Sequence, residues 1–247
     1  MLLASAERSG VFLDFDGALS EIAPTPADAV AVPGAARVLA VLAERFALVA
    51  VVSGRRAAEV AERLGHPRGV RVFGLYGLET DAVMEGVEPP LTPALEEVLP
   101  RVLEVAAAVP GSLVEPKGSN LAVHYRLAPR ADLARAALLE ALAPLAQGVG
   151  MRVIEGKRVV ELVPAASPSK GDVVEREGAG LEAVLYAGDD LADIEAFAAV
   201  DRLVSNGTQG IKVAVGSEET PASLLAAADV VVQGPTGLVD LLRSLVR

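Results

Sequence analysis

Three apolar runs in this chain stop at oxygen-bearing side chains: "VFLDFDG" (11–17) at Asp14 and Asp16, "ALVAVVSG" (47–54) at Ser53, and "AVLYAGDD" (183–190) at Asp189 and Asp190. Near-continuous apolar strands of this kind belong to parallel sheets buried on both faces. Amphipathic helical patterns separate them, with "GAARVLAVLAERF" and "RRAAEVAERL" early in the chain and "DIEAFAAV" and "GLVDLLRSLV" late. "VRVFGLYG", "RLVSNG", "IKVAVG" and "DVVVQG" continue the rhythm. The alternation predicts an α/β fold, a doubly wound, Rossmann-like parallel sheet with helices on both faces. In such sheets the ligand site lies beyond the carboxyl ends of the strands, where strand order reverses.

Between residues 91 and 167 the pattern changes. A helix, "TPALEEVLPRVLEVAAAV", precedes the short strands "SLVEPKG" and "NLAVHYR"; a second helix, "RADLARAALLEALAPL", precedes "MRVIEG" and "RVVELVP". Short turns with Gly118 and Gly156 indicate antiparallel hairpins. The chain is therefore divided into a first core part (1–90), an inserted αββαββ cap (91–167) and a second core part (168–247), with "EGVEPPLTP" (85–93) and "PAASPS" (164–169) as hinge segments.

A formal net charge of −11 argues against nucleic acid and anionic membrane surfaces as partners, since phosphate-backbone binding needs a concentrated basic face. An anionic substrate would then depend on a few local cations, because more distant exposed charges are screened. The chain has no cysteine, which removes disulfides, thiolate metal sites and cysteine nucleophiles, and agrees with a cytoplasmic location. The first residues carry no basic, apolar leader, and no run of about 20 apolar residues reads as a membrane span.

Asp14, Asp16, Ser53, Asp189, Asp190 and Asp193 all fall at or just past strand ends. Gathered together, such carboxylates would repel one another unless a cation sits among them, and Mg²⁺ suits an all-oxygen, phosphate-coordinating site. Each aspartate taken singly is equally well a turn former or helix N-cap. Lys170, in "SPSKGDVV", stands in the first turn of a helix, where a cation opposes the macrodipole unless an anion is near. A solvated surface lysine is the alternative.

As an ordered set, "DFDG", "VVSG", the lysine of "SKGD" and "YAGDDLAD" resemble the four motifs of the haloacid dehalogenase superfamily of phosphohydrolases. That resemblance implies that Asp14 is the nucleophile and forms an aspartyl-phosphate. Asp16, on the same side of the strand by the period-2 rule, would protonate the leaving oxygen and later activate water. Gly17 would let the backbone turn around the phosphate. Asp14, the Asp16 carbonyl and Asp189 would hold Mg²⁺, supported by Asp190 and Asp193, while Ser53 and Lys170 would grip phosphoryl oxygens.

The position of the insert, its segments "VEPKGSNLAVHYR" and "GKRVVELVP", and "GLYGLE" in the core ahead of it are similar to the trehalose-6-phosphate phosphatase family. Period-2 alternation alone puts Glu115 and Lys117 on one face of their strand, and Ala122, His124 and Arg126 on one face of theirs; an ordinary solvated face would look the same. The resemblance implies that Glu115, Lys117, Arg126 and Glu161 bind sugar hydroxyls, and that the substrate is a small phosphorylated disaccharide handled by a monomer. His124 either takes part or merely holds the sheet together. The chain departs from the family pattern at Ala18, Ala192 and Ile194, none of which is an expected catalytic or metal-binding residue. Rival readings are a phosphatase for sucrose phosphate or mannosyl-3-phosphoglycerate, a phosphotransferase, and a catalytically silent binding protein.

Overall fold

The computed structural model describes residues 2–80 and 91–246, with side chains from residue 5 onward. The first hinge segment, 85–93, lies mostly outside the described residues. The chain divides into two compact units, residues 1–85 with 168–247, and residues 86–167.

The first unit opens with β1 (Ser9–Leu13), α1 (Ala35–Ala43), β2 (Leu48–Val52), α2 (Ala57–Arg63), β3 (Val70–Gly74) and the short β4 (Glu79–Thr80). Helix α1 forms because Ala35, Val38, Leu39 and Leu42 recur at helical spacing and bury one stripe. Past β3 the chain does not continue as strand, as "VRVFGLYG" suggested. Leu75, Tyr76 and Gly77 have φ of 48°, 61° and 107° and form a tight turn.

The second unit contains α3 (Pro93–Ala107), β5 (Leu113–Pro116), β6 (Leu121–His124), α4 (Ala131–Gly148), β7 (Met151–Gly156) and β8 (Val159–Pro164). Its four strands form an antiparallel sheet in the order β5-β6-β8-β7. Leu121, Val123, Val160 and Leu162 face α3 and α4, where they meet Leu95, Val98, Val102, Leu138 and Leu142 in one apolar cluster. Full burial of such a side chain contributes roughly 1.5–3 kcal/mol. The β7–β8 turn relies on Arg158 at φ 61° rather than on Gly156.

The chain returns to the first unit with α5 (Lys170–Gly178), β9 (Ala183–Gly188), α6 (Ala192–Ser205), β10 (Gln209–Gly216), α7 (Ala222–Ala227), β11 (Val230–Gln233) and α8 (Gly234–Ser244). "RLVSNG" is not strand: its start completes α6, because Leu203 extends the buried stripe of Ala196, Phe197, Ala199 and Val200. The seven-stranded sheet runs β11-β10-β9-β1-β2-β3-β4, parallel except for the β3–β4 pair.

Alternation along the central strands gives two cores. Val11, Leu13, Val49, Val51, Leu185 and Ala187 pack against α1, α2 and α8. Phe12, Ala50, Val52, Val184 and Tyr186 pack against α5, α6 and α7. Sequence numbering reverses direction between β1 and β9, so the switch point lies beyond Leu13 and Gly188. Among the described residues no helix is long and apolar enough to cross a membrane.

Candidate active site

Asp14 follows the last residue of β1, and Asp189 follows the last residue of β9. The two strands are hydrogen-bonded neighbours, so their ends deliver both carboxylates to the switch point. Asp193, the second residue of α6, completes a buried group in which one oxygen from each aspartate lies within 4.8 Å of the others. The pleat that sends Phe12 toward α5 and α6 sends Asp14 the same way. There it meets Lys170, the first residue of α5, whose Nζ lies 2.8 Å from Asp14 Oδ2 and 2.7 Å from Asp193 Oδ1.

Lys170 is therefore a buried cation, and the anions opposite it are carboxylates of this chain. A capping box fixes its place: Ser169 Oγ accepts from the Asp172 N–H, and Asp172 Oδ2 accepts from the Ser169 N–H at 2.7 Å.

Asp193 is saturated. Its Oδ1 accepts from Lys170 Nζ and from the Tyr186 hydroxyl at 2.6 Å, and its Oδ2 accepts from the N–H groups of Asp189 at 2.8 Å and Asp190 at 2.9 Å. Burial opposes its charge, but Lys170, the Tyr186 hydroxyl and the Asp190 N–H together hold its carboxyl below the usual range. Asp14 goes the other way. Burial, with Asp193 and Asp189 close by, holds its carboxyl well above the usual range, although Lys170 pulls downward. Asp190 accepts from the Leu191 N–H at 2.7 Å and shapes the entry to α6.

Three carboxyl groups gather around one ammonium in this group, a surplus of acidic over basic side chains. The donor set is entirely oxygen, which fits a hard divalent cation and excludes a thiolate-type site. Backbone approach on one side is equally specific. Gly17 has φ 77°, and a Cβ there would stand 1.9 Å from Asp189 Oδ2.

Asp16 lies beyond β1, which ends at Leu13, in a turn that folds back so that the N–H groups of Ala18, Leu19 and Ser20 reach the Phe15 carbonyl. Asp16 faces Arg55, which contacts it twice: Nε to Oδ2 at 2.7 Å and Nη2 to Oδ1 at 2.9 Å. Burial works against the Arg55 charge, but Asp16 and Glu59 raise its pKa further above the usual guanidinium range. Ser53 is buried past β2 and accepts from the Arg55 N–H at 3.1 Å. The positive-φ turn after β3 braces this loop, with the Leu75 N–H on the Arg55 carbonyl and the Tyr76 N–H on the Ser53 carbonyl.

Sequence reading missed Arg55 and Tyr186. Arg55 had a signal: "SGRR" puts cations directly ahead of a helix in an acidic chain, the same oddity that singled out Lys170. Tyr186 had none, since a strand tyrosine is ordinary core.

In the second unit, Glu115, Ala122 and Glu161 stand in register across β5, β6 and β8. Lys117 Nζ lies 3.2 Å from Glu161 Oε1 and 3.8 Å from Glu115 Oε2. His124 Nε2 lies 2.7 Å from Glu115 Oε2, so it braces that carboxylate. Arg126 lies past the end of β6, in a turn closed by the Ala128 N–H on the Tyr125 carbonyl, and its Nη2 donates to the Lys157 carbonyl at 3.2 Å.

The trehalose-phosphatase family matches residues 12–229. The chain is 34% identical over 224 residues to a trehalose-phosphate phosphatase of Mycobacterium ulcerans (strain Agy99), covering 86% of this chain and 55% of that protein. It is 36% identical over 223 residues to one from Mycobacterium avium (strain 104), covering 85% and 55%. The chain thus spans about half the length of these curated relatives. Its fold is shared with the C-terminal domain of the Candida albicans trehalose-6-phosphate phosphatase, with a TM-score of 0.81 at 22% identity over 99% of this chain and 93% of that one. It is also shared with a haloacid dehalogenase-like hydrolase from Bacteroides thetaiotaomicron, with a TM-score of 0.61 at 18% identity over 96% and 97%. With the family match running from Phe12 inside β1 to Asp229 ahead of β11, and with relatives at 34% identity or more over most of its length, the chain belongs to the trehalose-phosphatase family.

Proposed function

We propose that this chain hydrolyses the phosphate monoester of trehalose 6-phosphate, with Asp14 as nucleophile and Mg²⁺ as cofactor. The observation that carries the reading is the buried Asp14–Lys170–Asp189–Asp193 group at the switch point, with its three carboxyl groups around one ammonium. Family membership and the names of the relatives supply the substrate.

In this mechanism an Asp14 oxygen attacks phosphorus, and the bond to the sugar oxygen breaks as Asp16 gives that oxygen a proton. Asp16 then takes a proton from water, which attacks the aspartyl-phosphate and restores Asp14. Lys170 and Ser53 neutralise and orient phosphoryl oxygens, the kind of positioning and charge stabilisation on which phosphoryl transfer relies. Asp14 and Asp189, with the Asp16 carbonyl, would hold Mg²⁺, which would offset the charge shared between the carboxylates and the phosphoryl group. Asp193 cannot easily join them, since its oxygens already accept four hydrogen bonds; it fixes Lys170 and the 189–190 turn. Glu115, Lys117, Arg126 and Glu161 would bind the sugar hydroxyls.

The test is phosphate release from trehalose 6-phosphate, with and without Mg²⁺, by the parent chain and by Asp14→Asn. The expected result is Mg²⁺-dependent release that falls at least 1,000-fold in the variant, on the order of the loss of a covalent nucleophile. Equal rates in parent and variant would remove Asp14 from the mechanism.

A further inference from the structure

Arg55 is held from every side. Besides its two bonds to Asp16, its Nη1 donates to the Pro26 carbonyl at 2.9 Å and to Glu59 Oε1, and its guanidinium carbon lies 5.8 Å from the centre of the Phe15 ring. Glu59 Oε1 also accepts from Arg63 Nε at 2.9 Å. Arg63 in turn donates to the carbonyls of Pro26 and Ala27, each at 3.2 Å, and to that of Ala29. Helix α2, the 26–29 loop and the Ser53 loop thus converge on one guanidinium, and through it on Asp16. The Arg55 side chain is 9% exposed and that of Asp16 35%, so the arginine is enclosed while the carboxylate it grips remains open to solvent and ligand.

A buried arginine with this many partners could serve stability alone. Two features point further. A two-point guanidinium–carboxylate fork fixes the plane of the carboxylate as well as its position. The carboxylate so fixed also lies past the end of β1, where the strand no longer dictates its direction. Proton transfer to a departing oxygen depends on placement within hydrogen-bond reach, and a shift of about 1 Å can cost on the order of 100-fold.

We infer that Arg55 is a positioning residue for proton transfer: it acts through Asp16, aiming that carboxylate at the leaving oxygen, and Glu59 aims Arg55. This rests on the reading of Asp16 as the proton shuttle.

The test uses two substrates of similar size whose leaving groups differ in their need for a proton. Phenolate leaves from phenyl phosphate poorly without protonation, whereas 4-nitrophenolate leaves from 4-nitrophenyl phosphate readily. For each, kcat/KM with Mg²⁺ reports the step in which the leaving group departs. Asp16→Asn should lower the phenyl/4-nitrophenyl ratio by about 100-fold, within the usual range for general acid catalysis. Arg55→Ala and Arg55→Lys should lower the same ratio by about 10-fold or more, and Arg55→Ala should add nothing to the ratio change on an Asp16→Asn background. Lysine keeps the charge and occupies the site but cannot form the fork, so Arg55→Lys carries the test if Arg55→Ala fails to fold. If Asp16→Asn leaves the ratio unchanged, the shuttle reading fails and the inference falls with it. If Asp16→Asn changes the ratio but the Arg55 variants slow both substrates equally, or their effects add in the double variant, Arg55 is structural and the inference alone is overturned.

Discussion

Asp14 and Asp193 share a lysine yet sit in opposite electrostatic conditions. Asp193 has four donors and its ionised form is favoured; Asp14 is buried between two other carboxylates and its ionised form is disfavoured. For stability the signs follow directly. The raised carboxyl of Asp14 contributes most below its unfolded value of about 3.8, and that contribution is lost as pH rises through the folded value. Near neutrality, well above the unfolded value, Asp14 is a cost to the metal-free fold. Asp14→Asn is therefore expected to melt higher than the parent in chelator at pH 7, with the gap closing toward pH 4. Added Mg²⁺ should raise the parent's Tm more than the variant's. A variant that melts well below the parent in chelator at pH 7 would show that the lost Lys170 contact outweighs the relieved repulsion. Much of this site was legible in the sequence, because carboxylates at the ends of buried strands have few structural reasons to be there together. Tyr186 was not legible, since its partner Asp193 is brought near only by folding, and "SGRR" marks Arg55 as unusual without showing that it meets Asp16.

Among the elements, α5 carries the heaviest responsibility for its length. It places Lys170 at its first position, and the Ser169–Asp172 capping box decides where that position lies. Ser169→Ala is expected to cost about 1 kcal/mol, seen as a fall in Tm of a few degrees. It should also lower phosphate release, because Lys170 loses its register; unchanged activity at reduced stability would mean that Asp14 and Asp193 hold the lysine without the cap. Other elements show where sequence pattern stops. "RLVSNG" has strand-like composition, but helix α6 had one more turn of apolar stripe to bury. Arg126 looked like a strand residue because "NLAVHYR" alternates throughout, whereas the strand ends two residues earlier, at His124, and the chain turns from Tyr125 to Ala128. The helices and hairpins of the insert were readable because their buried faces have a regular period.

At the scale of the whole molecule, each unit has its own apolar core, and that of residues 86–167 is built from two helices and four strands contiguous in sequence. A fragment spanning residues 86–167 is accordingly expected to fold alone, with a cooperative thermal transition by circular dichroism. A broad, non-cooperative melt would show that this unit borrows stability from the other.

The first unit has no such independence in time. Strand β1 lies between β2, which follows within the first 52 residues, and β9, which begins only at Ala183. On a translating ribosome, Asp14 emerges before Asp189, with one flank of β1 still unfilled, while the intervening insert can collapse locally. Its neighbour in the acidic group, Asp189, arrives long afterwards, so closure of the central sheet is a late, long-range event of the slow kind. Until then the nascent chain exposes the greasy margin of β1, which is the moment at which chaperones would be needed.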